Sequence, residues 1–454
     1  MILTRINMHK PLSSRHKALS SRLEIARVSA LLTVGLASTF GVLAQETASA
    51  DPFIKDAVVG FNARTFYMNV EDNSKPPART QKEAWALGGK LFGRTGYWKD
   101  ALQFGASYYL SAPLYAPDDK DGTLLLAPGQ DTISVLGELY ARLKHENNAL
   151  TLGRQEIDMG YKRAGGVRSN RSDATYVGRF DNRMVPVTYE AALLGGRLDE
   201  SLNYYAAWVN KAKPRNSEDF SHVGSVIGAA GSDSAMWMGG LQFAPMKDFW
   251  VQGWYHQVSD VIRIGFLDAD YVVRLSKGSY LRLAGQYADQ RSDGSNSLTG
   301  KPFSTSNAQA YGEYGIDWLT LYGAYSRTGS GADIRLPFSS GPIYTQQVTR
   351  TFVRAHESVW QLGIGADLGT WATGLTAYFD VTSGKDAINP SSGAKLADEI
   401  EYDLGVVWTV KQKGSYLDGL RTRIRSGWVT DQTSVGDKKS TDLRIDVNLP
   451  INLL

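Results

Sequence analysis

Three arginines at every second position, Arg421, Arg423 and Arg425, lie in the stretch LRTRIRSGW between Leu420 and Trp428. In an extended chain they share one face, and Leu420, Thr422, Ile424 and Trp428 share the other. The following stretch, DLRIDVNLP, sets Leu443, Ile445, Val447 and Leu449 against Asp442, Arg444, Asp446 and Asn448. A guanidinium is a planar fork that takes a carboxylate through two parallel hydrogen bonds. Successive forks along one surface would let a small organic anion bind, release and move on. Arg64, in FNARTFY, has the parity to join this row if the first strand closes against the last. The plainer alternative is that these arginines pair with wall carboxylates such as Glu313, Glu401, Asp403 or Asp446 and serve stability alone.

A second charged stretch is RSNRSDATYVGRFDNRMVP, from Arg168 to Pro186. It has neither helical nor strand periodicity, and it lies in a connector of roughly 155–186, long enough to need a reason. Arg171, Asp173, Arg179, Asp181 and Arg183 would suit the lining of a narrow polar passage, with a transverse field between the two signs of charge. The other possibility is a surface lid.

Both groups need elements to hold them. From Ala57 onward the chain reads as 18 runs of alternating polarity with aromatic ends, and helical windows are almost absent. The connectors alternate short and long, with both termini on the short side. Those near 258–264 and 431–440 are of medium length. Runs of about 9–11 residues suffice to cross a bilayer when tilted, and Trp and Tyr at run ends match interfacial girdles. Polar residues on the inward faces suggest a wet lumen. Facing lipid, each arginine near the midplane would cost roughly 2–4 kcal/mol, so the arginine face must turn inward. The expected fold class is all-β: an 18-stranded antiparallel transmembrane β-barrel. Arg274 and Arg282 are lumen-facing by the same parity but lie farther round the wall.

The first 50 residues read as a cleaved secretory leader. A basic stretch precedes the apolar run Val28–Ala44, and small residues follow, with cleavage expected after Ala44 or Ala50. This segment has six Lys/Arg against Glu24 and Glu46, a net of +4, so the remainder of a chain of net charge +3 carries −1. The basic precursor pI therefore gives no reason to expect a nucleic-acid partner. The 454 residues include no Cys, which excludes disulfides and thiolate metal sites. The loop PDDKDG lacks the distal Glu of a calcium loop, so no metal and no cofactor is expected. Neither HExxH nor GxSxG occurs, and His256 on a polar strand face has no Ser–Asp partnership, so no catalytic residue is assigned.

Several stretches together resemble the OprD-type family of substrate-specific outer-membrane porins. They are NARTFY, LGGKL with GYWKDALQFGASYY, LGRQEIDMG, DNRMVPVTYEAALL, LNYYAAWVNKAKPRN, and LRTRIRSGWVTD with TDLRIDVNLP. They occur in family order across 51–454. The resemblance implies a single barrel in the bacterial outer membrane, with short periplasmic turns, long extracellular loops and the third loop folded inward with help from the seventh. It implies a passive channel for small carboxylate-bearing solutes, such as amino acids and small organic or aromatic acids. Arg64, Arg421, Arg423, Arg425 and Arg444 would form the basic ladder. Asp333 or Glu357, in the seventh loop at 328–357, would supply an acidic partner, and Arg154 in GRQ is a further candidate. Expected partners are solute and outer-membrane lipid, in a monomer or loose trimer. The alternative is a non-conducting structural or adhesive barrel. Two features depart from the family: Leu454 stands where an aromatic commonly ends such barrels, and 159–180 is unusually rich in Arg and Gly.

Overall fold

The computed structural model describes residues 51–73, 81–159, 175–275, 278–338 and 341–454. The leader therefore lies outside the described residues. The alternating runs form strands β1 (Val58–Glu71), β2 (Gln81–Arg94), β3 (Leu102–Tyr115), β4 (Ile133–His145), β5 (Asn148–Gln155), β6 (Thr188–Arg197) and β7 (Leu202–Lys213). After the two-residue β8 (Ser221–His222) come β9 (Met236–Met246), β10 (Phe249–Val258), β11 (Ile262–Arg274), β12 (Tyr280–Ser292), β13 (Ser304–Ile316) and β14 (Leu319–Thr328). The wall is completed by β15 (Ser358–Asp367), β16 (Leu375–Lys385), β17 (Asp398–Thr409), β18 (Arg421–Thr433) and β19 (Gly436–Asn452). Every neighbouring pair is antiparallel, and β7 pairs directly with β9, so β8 is a side branch of the fourth outer loop. β1 pairs with β19, closing an 18-stranded barrel with one extra short strand. Closure leaves no edge, the condition for spanning a medium that cannot hydrogen-bond backbone groups.

Alternation does what period two requires. Trp85, Leu87, Phe104, Trp237, Leu267, Trp360 and Leu362 stand exposed on the outer surface, where lipid covers them. Two outer connectors are tighter than expected. Residues 259–261 and 434–435 are short turns, because β11 and β19 begin at Ile262 and Gly436 and extend the ladder upward through polar residues. On the opposite side, 410–420 is longer than the other turns, so the alternation of lengths is not strict.

The lumen is less wet than its polar faces suggested. On β1 and β2 the inward residues Phe66, Met68, Val70, Ala84 and Ala86 are apolar and buried. They pack with Leu125 and Leu126 of the second outer loop and Met184 and Val185 of the third. A second cluster joins Tyr176, Val177 and Phe180 of the third loop to Phe338 and Ile343 of the seventh, against β6–β11. The outer half of the barrel is thus filled by its own loops.

Candidate functional site

The third loop departs from the wall because β5 stops at Gln155, opposite Tyr189 of β6, leaving the outer part of β4 without that neighbour. From there the chain turns inward. Val187 N–H donates to Arg179 O at 2.8 Å, and Tyr189 Oη donates to Gly178 O at 2.7 Å, so 179–187 is a closed loop. Phe180 adopts φ of 44° and stacks on Phe338 of the seventh loop. Pro186 O accepts from the buried Lys213 ammonium at 3.1 Å. The loop is held on both sides and presents the Asp181 carboxylate and the Arg183 carbonyl to the wall.

Barrel closure puts Arg421, Asn448 and Arg64 on one cross-strand row, Arg423 and Asp446 on the next, and Arg425 opposite Arg444 on a third. Arg64 is fully engaged. Its terminal nitrogens donate to both oxygens of Asp181, at 2.5 and 3.0 Å, and to Arg183 O at 2.6 Å, while Nε donates to the Asn448 side chain. Arg423 Nε donates to Asp446 at 2.7 Å. Arg444 grips Asp442 through two nitrogens and also donates to Val348 O of the seventh loop. Arg421 forms no ion pair among the described residues. Arg425 is buried, and its Nε and one terminal nitrogen have no hydrogen-bond partner among them. Arg425 and Arg444 are like charges directly opposite, an arrangement that costs stability, with Asp442 and Asp446 flanking Arg444 on its strand.

A second polar group lies across the loop from this row. Lys90 of β2 bridges Glu138 of β4 at 2.7 Å and Glu156 at 2.8 Å. Tyr109 Oη donates to Glu156 at 2.6 Å, and Arg179 reaches the other Glu156 oxygen at 3.4 Å. Charges of both signs therefore ring the third loop. Burial pushes the Asp181 carboxyl up, but Arg64, with Arg179 and Arg423 behind it, outweighs that and holds it down at about 2.

The structure brings together Arg64, Arg421, Arg423, Arg425, Arg444, Arg179, Asp181 and Arg183. Arg171 and Asp173 lie outside the described residues. Arg183 turns its guanidinium up to Thr123 O and Asn182 O and gives its carbonyl to Arg64. Arg154 stays on the outer surface, paired with Glu190 at 3.0 Å and 4.3 Å from the Phe220 ring. Arg282 is buried on the far wall, 3.5 Å from Asp270 and 3.9 Å from Glu313. Arg274 clamps Asp248 at the periplasmic rim. Neither acidic candidate of the seventh loop faces the ladder. Asp333 is exposed and accepts from Ala355 N, and Glu357 is buried against Arg354 at 2.6 Å.

Sequence parity placed Lys90 inside but gave no reason to single it out. Glu138 was missed because a β-bulge between Ser107 and Tyr108 shifts the β3–β4 register, which defeats a period-two reading. Glu156 begins an aperiodic loop. Asp446 and Asn448 were inward by parity, and only the register makes them partners of Arg423 and Arg64.

Among solved structures, the fold is similar to OccK9 (OpdG) of Pseudomonas aeruginosa, with a TM-score of 0.75 and 22% identity over 88% of this chain and 100% of that one. It is also similar to OpdK of the same organism, solved with vanillate, with a TM-score of 0.72 and 18% identity over 88% of this chain and 99% of that one. A BenF-like porin from Pseudomonas fluorescens Pf-5 gives 0.73 and 17%, covering 88% and 100%. No curated protein sequence matches. The family described as outer membrane porin, OprD family, matches residues 51–453. With that span taking in the whole barrel, its inward third loop and its arginine rows, the chain belongs to the OprD family of outer-membrane porins.

Proposed function

We propose that this porin is a passive, substrate-selective channel for small carboxylate-bearing solutes, which move along Arg64, Arg421, Arg423, Arg425 and Arg444. The observation that carries this reading is the pairing of Arg64 with Asp181. A carboxylate already sits in the fork of a lumenal arginine, in the bidentate geometry a solute carboxylate would use. Arg421 and Arg425, without carboxylate partners among the described residues, are the neighbouring rungs. Partial pairing suits conduction, since a fully neutralised row would not attract an anion and a bare one would trap it. OpdK was solved with vanillate, a solute of the same chemical class. Residues 1–50 would be removed on export, which N-terminal sequencing of the outer-membrane protein tests.

Arg423→Ala is the direct test. It removes a rung and takes from Asp446 its ion-pair partner, so the reversal potential in a salt gradient should move toward cation preference and benzoate flux should fall. Unchanged selectivity would remove the ladder from the reading. A wild-type barrel that passes no current would favour a structural or adhesive role.

A further inference from the structure

The outside of the barrel carries a basic group that the lumen does not use. Arg327 is the last outward residue of β14; the register sets it opposite Ser358 of β15, and Ser358 opposite Lys385 of β16. Period two turns these side chains away from the lumen, since their neighbours Ser326, Thr328 and Val359 are buried inside. Arg327 donates through one terminal nitrogen to Ser358 Oγ, and the other lies 2.7 Å from His356 Nε2. An arginine has no acceptor, so His356 accepts there, and its Nδ1–H donates to Asp386 O at 3.1 Å. Both of these partners of Arg327 are therefore neutral. Neither Arg327 nor Lys385 forms an ion pair among the described residues, and the carboxylates of the surrounding loops are engaged elsewhere. Asp398 pairs with Lys395 at 3.5 Å, and Asp333 accepts from Ala355 N–H at 2.7 Å.

One outward step down the same strands lie Tyr325 and Trp360, with ring centroids 4.5 Å apart and Trp360 64% exposed. Such rings mark the boundary between lipid and water, so Arg327 and Lys385 stand at the headgroup level of the outer leaflet. The next step down opens a groove of about 460 Å³ on the lipid-facing surface between β12 and β15. Gly312 and Gly323, directly opposite each other on β13 and β14, form its floor, and Leu281, Leu321 and Leu362 form its sides. Arg327 and Gly323 are four residues apart on one strand, about 13 Å. The face thus has a cationic top, rings at the boundary and an apolar channel below. A guanidinium takes a phosphate through two parallel hydrogen bonds, and a neutral headgroup would leave the charge of Arg327 unmatched. Lipid A, the phosphorylated glycolipid of the outer leaflet, offers phosphate, sugar and acyl chain in that order of depth.

We propose that this face is a binding site for lipid A. One phosphate rests on Arg327 and Lys385, the sugar lies against Trp360, and an acyl chain occupies the groove over Gly312 and Gly323. The site is outside the barrel and independent of what the lumen conducts.

The test is native mass spectrometry of the purified outer-membrane protein in detergent, titrated with diphosphoryl lipid A and, separately, with phosphatidylglycerol. Wild type should retain lipid A. Replacing both cations, Arg327→Gln with Lys385→Gln, should weaken that binding about tenfold or more, the size expected for a lost charge-assisted hydrogen bond. Gly312→Leu should weaken it as well. A Cβ at Gly312 meets nothing within 4 Å, so the new side chain fills the groove and leaves every charge in place. Heat-modifiable gel mobility and single-channel conductance should match wild type in both variants, because the altered residues face lipid. If the charge variant fails to fold, the Gly312→Leu result decides alone. Lipid A binding equal to wild type in the folded variants overturns the proposal, as does a wild type that retains no lipid A. Equal affinity for phosphatidylglycerol would also overturn it, by making the patch a general anionic-lipid surface. So would displacement of lipid A by inorganic phosphate at the same concentration, which would show that no chain lies in the groove.

Discussion

At the scale of single residues, Asp181 is the most informative group in the lumen. It occupies Arg64 as a solute carboxylate would, so it acts as an internal competitor. Asp181→Asn should strengthen benzoate binding at Arg64, read as longer block events, and shift permeability toward anions. Its acid response has a definite sign. The folded carboxyl sits at about 2, below the roughly 3.9 of an unfolded Asp. The bridge therefore contributes fully above the unfolded value and is lost as pH falls from there through the folded one, an effect on the order of 2 kcal/mol. A conductance change between about pH 4 and 2 that is present in wild type and absent in Asp181→Asn would bear this out, and identical titrations would refute it. This residue was legible as a charge in an odd segment. Its partner was not, because Arg64 lies more than a hundred positions earlier and nothing in either stretch encodes the other.

At the scale of elements, the seventh outer loop (329–357) is held by wall carboxylates and not by apolar packing alone. Glu401 accepts from Thr349 N at 2.7 Å and Arg350 N at 2.8 Å, and Asp403 accepts from Val348 N at 2.9 Å. Three consecutive backbone amides are thus satisfied by two side chains of β17. Glu401→Ala would leave two half-buried N–H groups without that partner, at up to roughly 1–3 kcal/mol each, and should free the loop. Limited trypsin digestion of the native barrel should then cut after Arg350 or Arg354, where wild type resists, and open-channel current should become noisier. Equal resistance would show that the Phe338 contacts with Phe180 and Tyr189 hold the loop by themselves. Strand parity had put Glu401 and Asp403 inside the barrel as possible arginine partners. Their main work is loop anchorage, a role that sequence cannot show because it depends on where an aperiodic segment comes to rest.

At the scale of the whole molecule, closure by β1 and β19 creates the arginine rows as well as the barrel. Removing Gly436–Asn452 would expose an edge to lipid and separate Arg64 from Arg421 and Arg423. Such a variant should fail to give the heat-modifiable gel mobility of a closed barrel, and it should not reach the outer membrane. Retained mobility would mean that closure through β18 is possible. The strands themselves were readable: Trp360, Leu362 and Leu267 outside and Arg423, Arg425 and Glu313 inside follow from period two and the cost of charge in lipid. The reading failed at Phe66, Met68 and Val70, which are apolar yet face inward because loops cover them, and at Glu138, where a bulge breaks the period. The sequence by itself determined the architecture and the inward arginine face, because lipid is a uniform solvent that penalises the wrong parity at every strand. Only the tertiary structure decided which charges meet, setting Asp181 on Arg64 and Lys90 between Glu138 and Glu156. Those contacts join segments remote in the chain, and irregular loops take their shape from the walls they fold against.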